Sequence, residues 1–229
     1  MRAIFKFSKG GGAQYISHLD LMRAMNRAIR RAGLPAQYSQ GFHPHIVMSF
    51  AQALGLGYLS QGEYMEITLP DGHSLPDALE RLNASLPNGI RMTGAWALDD
   101  GFPTLMAAVT AARWRVELTE GVSSESFAGL MARESIPAVK QGKNGPAHVD
   151  IRPGIFEVEK LPGGTELLLA AGSALNIRPE LTVTAALGGC DAVKSLTRLE
   201  LYTTVDGRLT PLYQICIGES NEYGKAHTG

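Results

Sequence analysis

Cysteine is scarce: Cys190 and Cys216 are the only two in 229 residues. Two thiols make neither a disulfide framework nor a cysteine-rich metal site. Nor can they ligate an iron–sulfur cluster without outside help. They read as the buried thiols of a cytoplasmic protein. No apolar run approaches the ~18 residues of a membrane-spanning helix. The opening Met1–Lys6 has no apolar stretch behind it, so no secretory signal is expected. Charge of one sign is also lacking, with 21 Lys and Arg against 22 Asp and Glu. The chain as a whole is therefore no polycation. Gly10-Gly11-Gly12 has neither the spacing nor the Lys-Ser/Thr of a phosphate loop, and Gly55-Leu56-Gly57 lacks the third glycine of a dinucleotide fingerprint. Cys-x-x-Cys and His-Glu-x-x-His are absent too. No cofactor and no resident metal are expected, and no motif marks the chain as an enzyme in its own right.

What is present is an ordinary globular composition, 45% apolar and 19% charged, long enough for two domains with real cores. The small net charge hides an asymmetry. Residues 1–45 carry seven Lys or Arg against one Asp, and residues 46–110 carry two Arg against seven acids. A basic opening segment in a neutral protein is either a patch for a polyanion or the solvated face of a helix.

The pattern along the chain predicts two α+β halves. Met1–Ser8 alternates as a strand. Ser17 caps a helix with Asp20 three residues on, a variant capping box, and Gly33 and Pro35 stop it after Ala32. Leu21, Met22, Met25, Ile29 and Ala32 share one face, while Arg23, Arg27, Arg30 and Arg31 fall opposite at helical spacing. A Gly-Pro loop, Tyr38–His45, leads into a strand at Ile46–Phe50. Strand Glu63–Leu69, helix Ser74–Leu86 and strand Gly89–Leu98 complete the order β-α-β-β-α-β, the ferredoxin-like pattern. A short helical bridge is expected at Thr104–Thr110. Beyond it the spacing predicts a strand over Ala112–Thr119, a helix from Ser123 to Arg133, strands over Val149–Arg152, Phe156–Lys160 and Thr165–Ala171, a helix over Pro179–Leu187, and a strand over Leu196–Thr204. The fold class read from this order is α+β, two ferredoxin-like halves packed together. They span residues 1–99 and 111–217, with a flexible tail at 218–229.

Several constellations could carry chemistry. His18 stands beside Asp20 at the helix start and is a candidate general acid–base group, or a histidine packed on the helix. His43 and His45 flank Pro44; the spacing suits imidazole ligation with a carboxylate, or a loop making surface hydrogen bonds. Lys140-Gln141-Gly142-Lys143 leads towards Asp150-Ile151-Arg152. That arrangement is either a phosphate grip or an exposed hairpin with a salt-bridged strand. Arg178 precedes Pro179 at a helix start, where anions are favoured. Tyr38, Ser39, Gly41, Phe42 and His43 set aromatic and polar groups beside the basic helix, as suits single-stranded RNA.

Tyr15-Ile16-Ser17-His18-Leu19-Asp20-Leu21-Met22-Arg23, Arg30-Arg31-Ala32-Gly33-Leu34-Pro35, Tyr38-Ser39-Gln40-Gly41-Phe42-His43-Pro44 and Ser49-Phe50 together resemble the radical-SAM-associated (radical-SAM-linked) protein family. This is a bacterial domain of unknown function, fused to or encoded beside a radical SAM protein with a B12-binding-type domain. Asp150-Ile151-Arg152 and Asn176-Ile177-Arg178-Pro179 extend the resemblance over most of the chain; His45 departs from it, where a proline or small residue is expected. Members are often encoded near genes for ribosome and RNA-processing proteins. The resemblance therefore implies RNA and a radical SAM protein as partners, with tRNA or rRNA modification or processing as the setting. The Ser-His-x-Asp-Leu and Ser-x-Gly-Phe-x-Pro pattern is also similar, over about the first quarter of the chain, to the first domain of CRISPR repeat-processing endoribonucleases. Three functions follow as expectations. The first is an RNA-binding accessory or recognition subunit. The second is a metal-independent ribonuclease using His18. The third is a small-molecule-binding or structural module.

Overall fold

Strand alternation organises the first unit. In the computed structural model, which describes residues 1–142 and 145–216, β1 (Arg2–Lys9) turns Ala3, Phe5 and Phe7 to one face and Arg2, Ile4 and Lys6 to the other. α1 (His18–Arg31) follows, then β2 (Met48–Phe50), β3 (Leu59–Thr68), α2 (Leu75–Ser85) and β4 (Ile90–Leu98). β1 pairs antiparallel with both β3 and β4, and β2 pairs antiparallel with β3. The sheet order is β4-β1-β3-β2. Leu21, Met25 and Ile29 of α1 and Leu79 and Leu82 of α2 join Phe5, Phe7, Met65 and Ile67 in one core. Each such side chain contributes ~1.5–3 kcal/mol on leaving water. The β-α-β-β-α-β order expected of residues 1–99 is present.

α3 (Leu105–Ala108) is the short helical bridge, capped by the Thr104 hydroxyl, which accepts from the Ala107 N–H at 3.4 Å. The chain groups into two units. One is Met1–Val109 with the chain from Thr203 on, and the other is Thr110–Tyr202.

The second unit opens with β5 (Ala111–Leu118) and α4 (Glu125–Ala128). It continues through a separate hairpin of β6 (Pro137–Gly142) and β7 (Gly145–Asp150), then β8 (Ile155–Leu161), β9 (Gly164–Ala170) and α5 (Pro179–Leu187), and ends in β10 (Val193–Val205). β5 pairs antiparallel with β9 on one side and with the Val193–Tyr202 part of β10 on the other; β8 pairs with β9. The order is β10-β5-β9-β8.

The structure differs from these expectations at several places. The helix read from Ser123 to Arg133 stops after one turn, at Gly129. Glycine is a poor helix former, and past it the carbonyls of Met131 and Arg133 accept from the Arg152 guanidinium. The segment from Lys140, read as a basic phosphate grip or an exposed hairpin, belongs to the hairpin of β6 and β7; the β6 sequence, Pro137-Ala138-Val139-Lys140-Gln141-Gly142, shows no alternation. Of the described residues, Thr203–Cys216 group with the first unit rather than with the second half. There Asp206 and Gly207 both take positive φ, 48° and 75°, the conformation a tight hairpin turn needs. This turn admits a further strand, β11 (Arg208–Pro211), paired with β10. Lys143 and the tail at 218–229 lie outside the described residues. The protein is a mixed α/β protein with antiparallel pairing and few helices. Among the described residues, no helix is long and apolar enough to cross a membrane.

Candidate functional site

α1 owes its start to Ser17. The Ser17 hydroxyl accepts from the Asp20 N–H at 3.1 Å and donates to Asp20 Oδ2 at 2.7 Å. The Asp20 carboxylate also accepts from Arg23 at 3.1 Å. Ser17 first and Arg23 second hold Asp20 below the ordinary carboxylate range. Leu21, Ala24, Met25, Ala28 and Ile29 are buried, while Arg23, Arg27, Arg30 and Arg31 are all exposed. The sequence-predicted basic face is therefore real. Its members differ: Arg31 donates to the Ser85 carbonyl at the end of α2, Arg27 attracts Asp20 only through space, and Arg30 lies over the Tyr38 ring at 5.9 Å.

That last interaction ties the helix to the aromatic loop. The loop is rooted by Gln37, whose N–H donates to the Thr68 carbonyl of β3 and whose carbonyl accepts from Val47. Tyr38 and Ile46 form a bridge, and the Ser39 N–H donates to the His45 carbonyl at 2.8 Å. The Ser39 hydroxyl accepts from the His45 N–H at 3.1 Å and sits 2.9 Å from His45 Nδ1. His45 thus closes the loop with Ser39. Gly41 turns the tip at φ 126°, a conformation side chains resist. Phe42 stands fully exposed there, with His43 also exposed. A braced loop presenting a bare phenyl ring is unusual, because burying such a ring contributes ~1.5–3 kcal/mol.

His18 and Asp20 are not brought together as an acid–base pair. Asp20 bonds Ser17 and Arg23, while the half-buried His18 ring packs edge-on against Phe50 at 5.3 Å. Among the described residues no group of three His, Cys, Asp or Glu is placed to hold a metal ion.

The second-unit candidates are placed differently. The Arg152 guanidinium donates to the carbonyls of Arg133, Ile155 and Met131, each at 3.0 Å. Asp150 accepts the N–H groups of Ile136 and Arg152, which hold its carboxyl below the usual range. Asp150-Ile151-Arg152 is thus a fastening of the fold. Lys140 is half-exposed on β6, and Arg178 is exposed as the residue before α5. Sequence reasoning missed Lys6, Trp96 and Tyr213, whose rings and ammonium meet in the first unit. Gly94-Ala95-Trp96, a strand that gives up a side chain two positions from an indole, was the available signal. It also missed Tyr15, Leu19 and Leu56, three well-exposed apolar side chains of the same unit.

No curated protein matches the chain. A family model, described as "Uncharacterized protein conserved in bacteria (DUF2344)", matches residues 2–179. That stretch takes in both the Ser17–Ala32 helix with its loop and the second unit as far as the start of α5, so the chain belongs to this bacterial family.

Proposed function

We propose that the chain is an RNA-binding accessory subunit that recognises RNA through the exposed face of α1 and the Tyr38–His45 loop. We further propose that it presents tRNA or rRNA to a separate radical SAM protein. The observation that carries the RNA reading is the combination at one place of exposed arginines on a firmly anchored helix, Arg30 on the Tyr38 face, and Phe42 bare at a braced tip. Anchored guanidinium groups match phosphate bidentately, and an exposed ring stacks an unpaired base at ~1–3 kcal/mol. Arg178 and Lys140 stand as secondary phosphate ligands in this reading. The radical SAM partner rests on the sequence resemblance, as does the finer reading of both units as ferredoxin-like. In support of the latter, in the four-stranded orders β4-β1-β3-β2 and β10-β5-β9-β8 the first of the four strands lies second in line, between the fourth and the third. Replacing Arg23, Arg27 and Arg30 together by Gln tests the RNA reading. Affinity for bulk tRNA should fall, and the salt slope should drop by about two, at ~0.7 for each single-strand phosphate that is no longer neutralised. Stability should stay within about 0.5 kcal/mol. Unchanged affinity and slope in a folded triple variant would leave α1 a solvated surface.

A further inference from the structure

The arginine row on α1 ends in an exposed ring at the Tyr38–His45 loop, and a second exposed ring stands at its other end. Leu19, Arg23, Arg27 and Arg30 recur along α1 at steps of four, four and three residues, and all four are exposed, so they form one stripe. Helical rise makes the stripe ~16 Å long. Arg30 finishes it against Tyr38. Leu19 begins it, and two more exposed apolar side chains stand at that end. Tyr15 is the last residue of the 3-10 turn Ala13–Tyr15, just ahead of α1, and is 73% exposed. Leu56, 64% exposed, is brought to this turn by its neighbour Gly57, whose N–H donates to the Gln14 carbonyl at 2.9 Å. The turn is fastened on several sides. The Tyr15 N–H donates to the Gly12 carbonyl and the Ile16 N–H to the Ala13 carbonyl, each at 3.2 Å. The Gly12 N–H donates to Gln14 Oε1 at 2.7 Å, and the buried Lys9 donates to the Ile16 carbonyl at 3.4 Å. Tyr15 is thus a bare ring on a braced turn, as Phe42 is on a braced loop. Residues 1–62 hold a single acid, Asp20, and Ser17 and Arg23 already engage its carboxylate.

We propose that Tyr15, with Leu19 and Leu56 beside it, is a second nucleobase subsite, and that the ligand is a single-stranded RNA segment lying along α1 between Tyr15 and Phe42. The inference rests on the RNA reading above and names the form of RNA that the α1 face takes. An apolar end continuous with three guanidinium groups, in a segment so poor in acids, matches a polyanion that also carries flat apolar groups. A duplex meets only half of that description, because its bases spend their π-faces on one another. An unpaired stretch splays its bases onto aromatic side chains while its phosphates stay in line. Phosphates over Arg23, Arg27 and Arg30 leave the flanking bases to turn inwards, one onto Phe42 and one onto Tyr15. Every base has a π-face, so the subsite discriminates single strand from duplex more than one base from another.

The test uses the full chain and fluorescence anisotropy of a labelled single-stranded oligouridylate, with an adenylate–uridylate duplex of the same length for comparison. The single strand should bind the more tightly. Tyr15→Ala should lower its affinity about tenfold, the lower end of one base–aromatic stack. Tyr15→Leu, which keeps apolar area without a π-face, should lose as much, and Tyr15→Phe should bind as the wild type does. The salt slope should hold in all three, because no phosphate contact is removed. Arg23, Arg27 and Arg30 changed together to Gln should instead reduce the slope. If Tyr15→Ala or Tyr15→Leu binds as the wild type does, or the duplex binds as well as the single strand, the subsite is overturned and the apolar end is left to a protein partner. The RNA reading then still stands if the arginine variant weakens binding. No binding of either probe by the wild type overturns both.

Discussion

Arginine serves opposite ends in the two units. On α1 of the first unit, Arg23, Arg27 and Arg30 project from a helix whose other face is buried, and their partners are exposed or distant. In the second unit Arg113 reaches Glu157 at 2.7 Å and Glu166 at 3.8 Å, and Arg115 reaches Glu166 at 2.8 Å. Arg152 is engaged by three carbonyls. Those side chains are held in the fold by groups close in space and, the Ile155 carbonyl aside, far in sequence. A guanidinium already meeting carboxylates or carbonyls has few N–H groups left for phosphate. The difference teaches that counting arginines locates neither a site nor a staple; what each one already bonds does.

The comparison is broken most directly at Arg152. Replacing it by Ala strands the carbonyls of Met131, Arg133 and Ile155 and should cost about 2–4 kcal/mol, as charged hydrogen bonds are lost together. Urea unfolding would measure it. RNA affinity of the folded fraction should not change. Reduced RNA binding with unaltered stability would place Arg152 with the α1 arginines instead.

That contrast also marks what the sequence made legible. α1 was legible because its determinants are local: Ser17 and Asp20 fix its start, and the spacing of Leu21, Met25 and Ile29 against Arg23, Arg27 and Arg30 fixes its faces. The loop was legible from Gly41 and Pro44. The partners of Arg152 were not, because Met131 and Arg133 lie about twenty positions away and such a contact leaves no mark on the local pattern. β6 was not, because strand pairing can hold a segment that shows no hydrophobic period. The Lys6–Trp96–Tyr213 cluster joins residues far apart in sequence, which no periodicity records.

A smaller effect sharpens the first-unit side. Ser17→Ala removes the hydroxyl that satisfies the Asp20 N–H, and should cost about 1 kcal/mol. It also releases the Asp20 carboxylate from one of its two holders. If α1 is a rigid array for phosphates, frayed ends should weaken RNA binding modestly, with the salt slope kept, because all three arginines remain. Thermal unfolding and salt titration of the same variant separate the two effects.

The smallest effect sets the two units side by side in acid. Asp20 and Asp150 both sit below the ordinary aspartate value of 3.8, Asp20 through the Ser17 hydroxyl and Arg23, Asp150 through the Ile136 and Arg152 N–H groups. A carboxyl whose native pKa is depressed stabilises the fold above its unfolded pKa, and that contribution is lost as pH falls through the native value. Stability should therefore hold above about pH 5 and decline below about pH 4. Asp150→Asn keeps an oxygen to accept from Ile136 and Arg152 but cannot titrate. The variant should start slightly less stable near neutrality and show a shallower decline in acid, read as denaturation midpoints across pH. Asp20→Asn should flatten the curve likewise. Because Arg23 would then have no anionic neighbour on α1, it should also raise RNA affinity at neutral pH, which Asp150→Asn should not do. If both variants changed RNA affinity equally, the division of labour between the two units would fail.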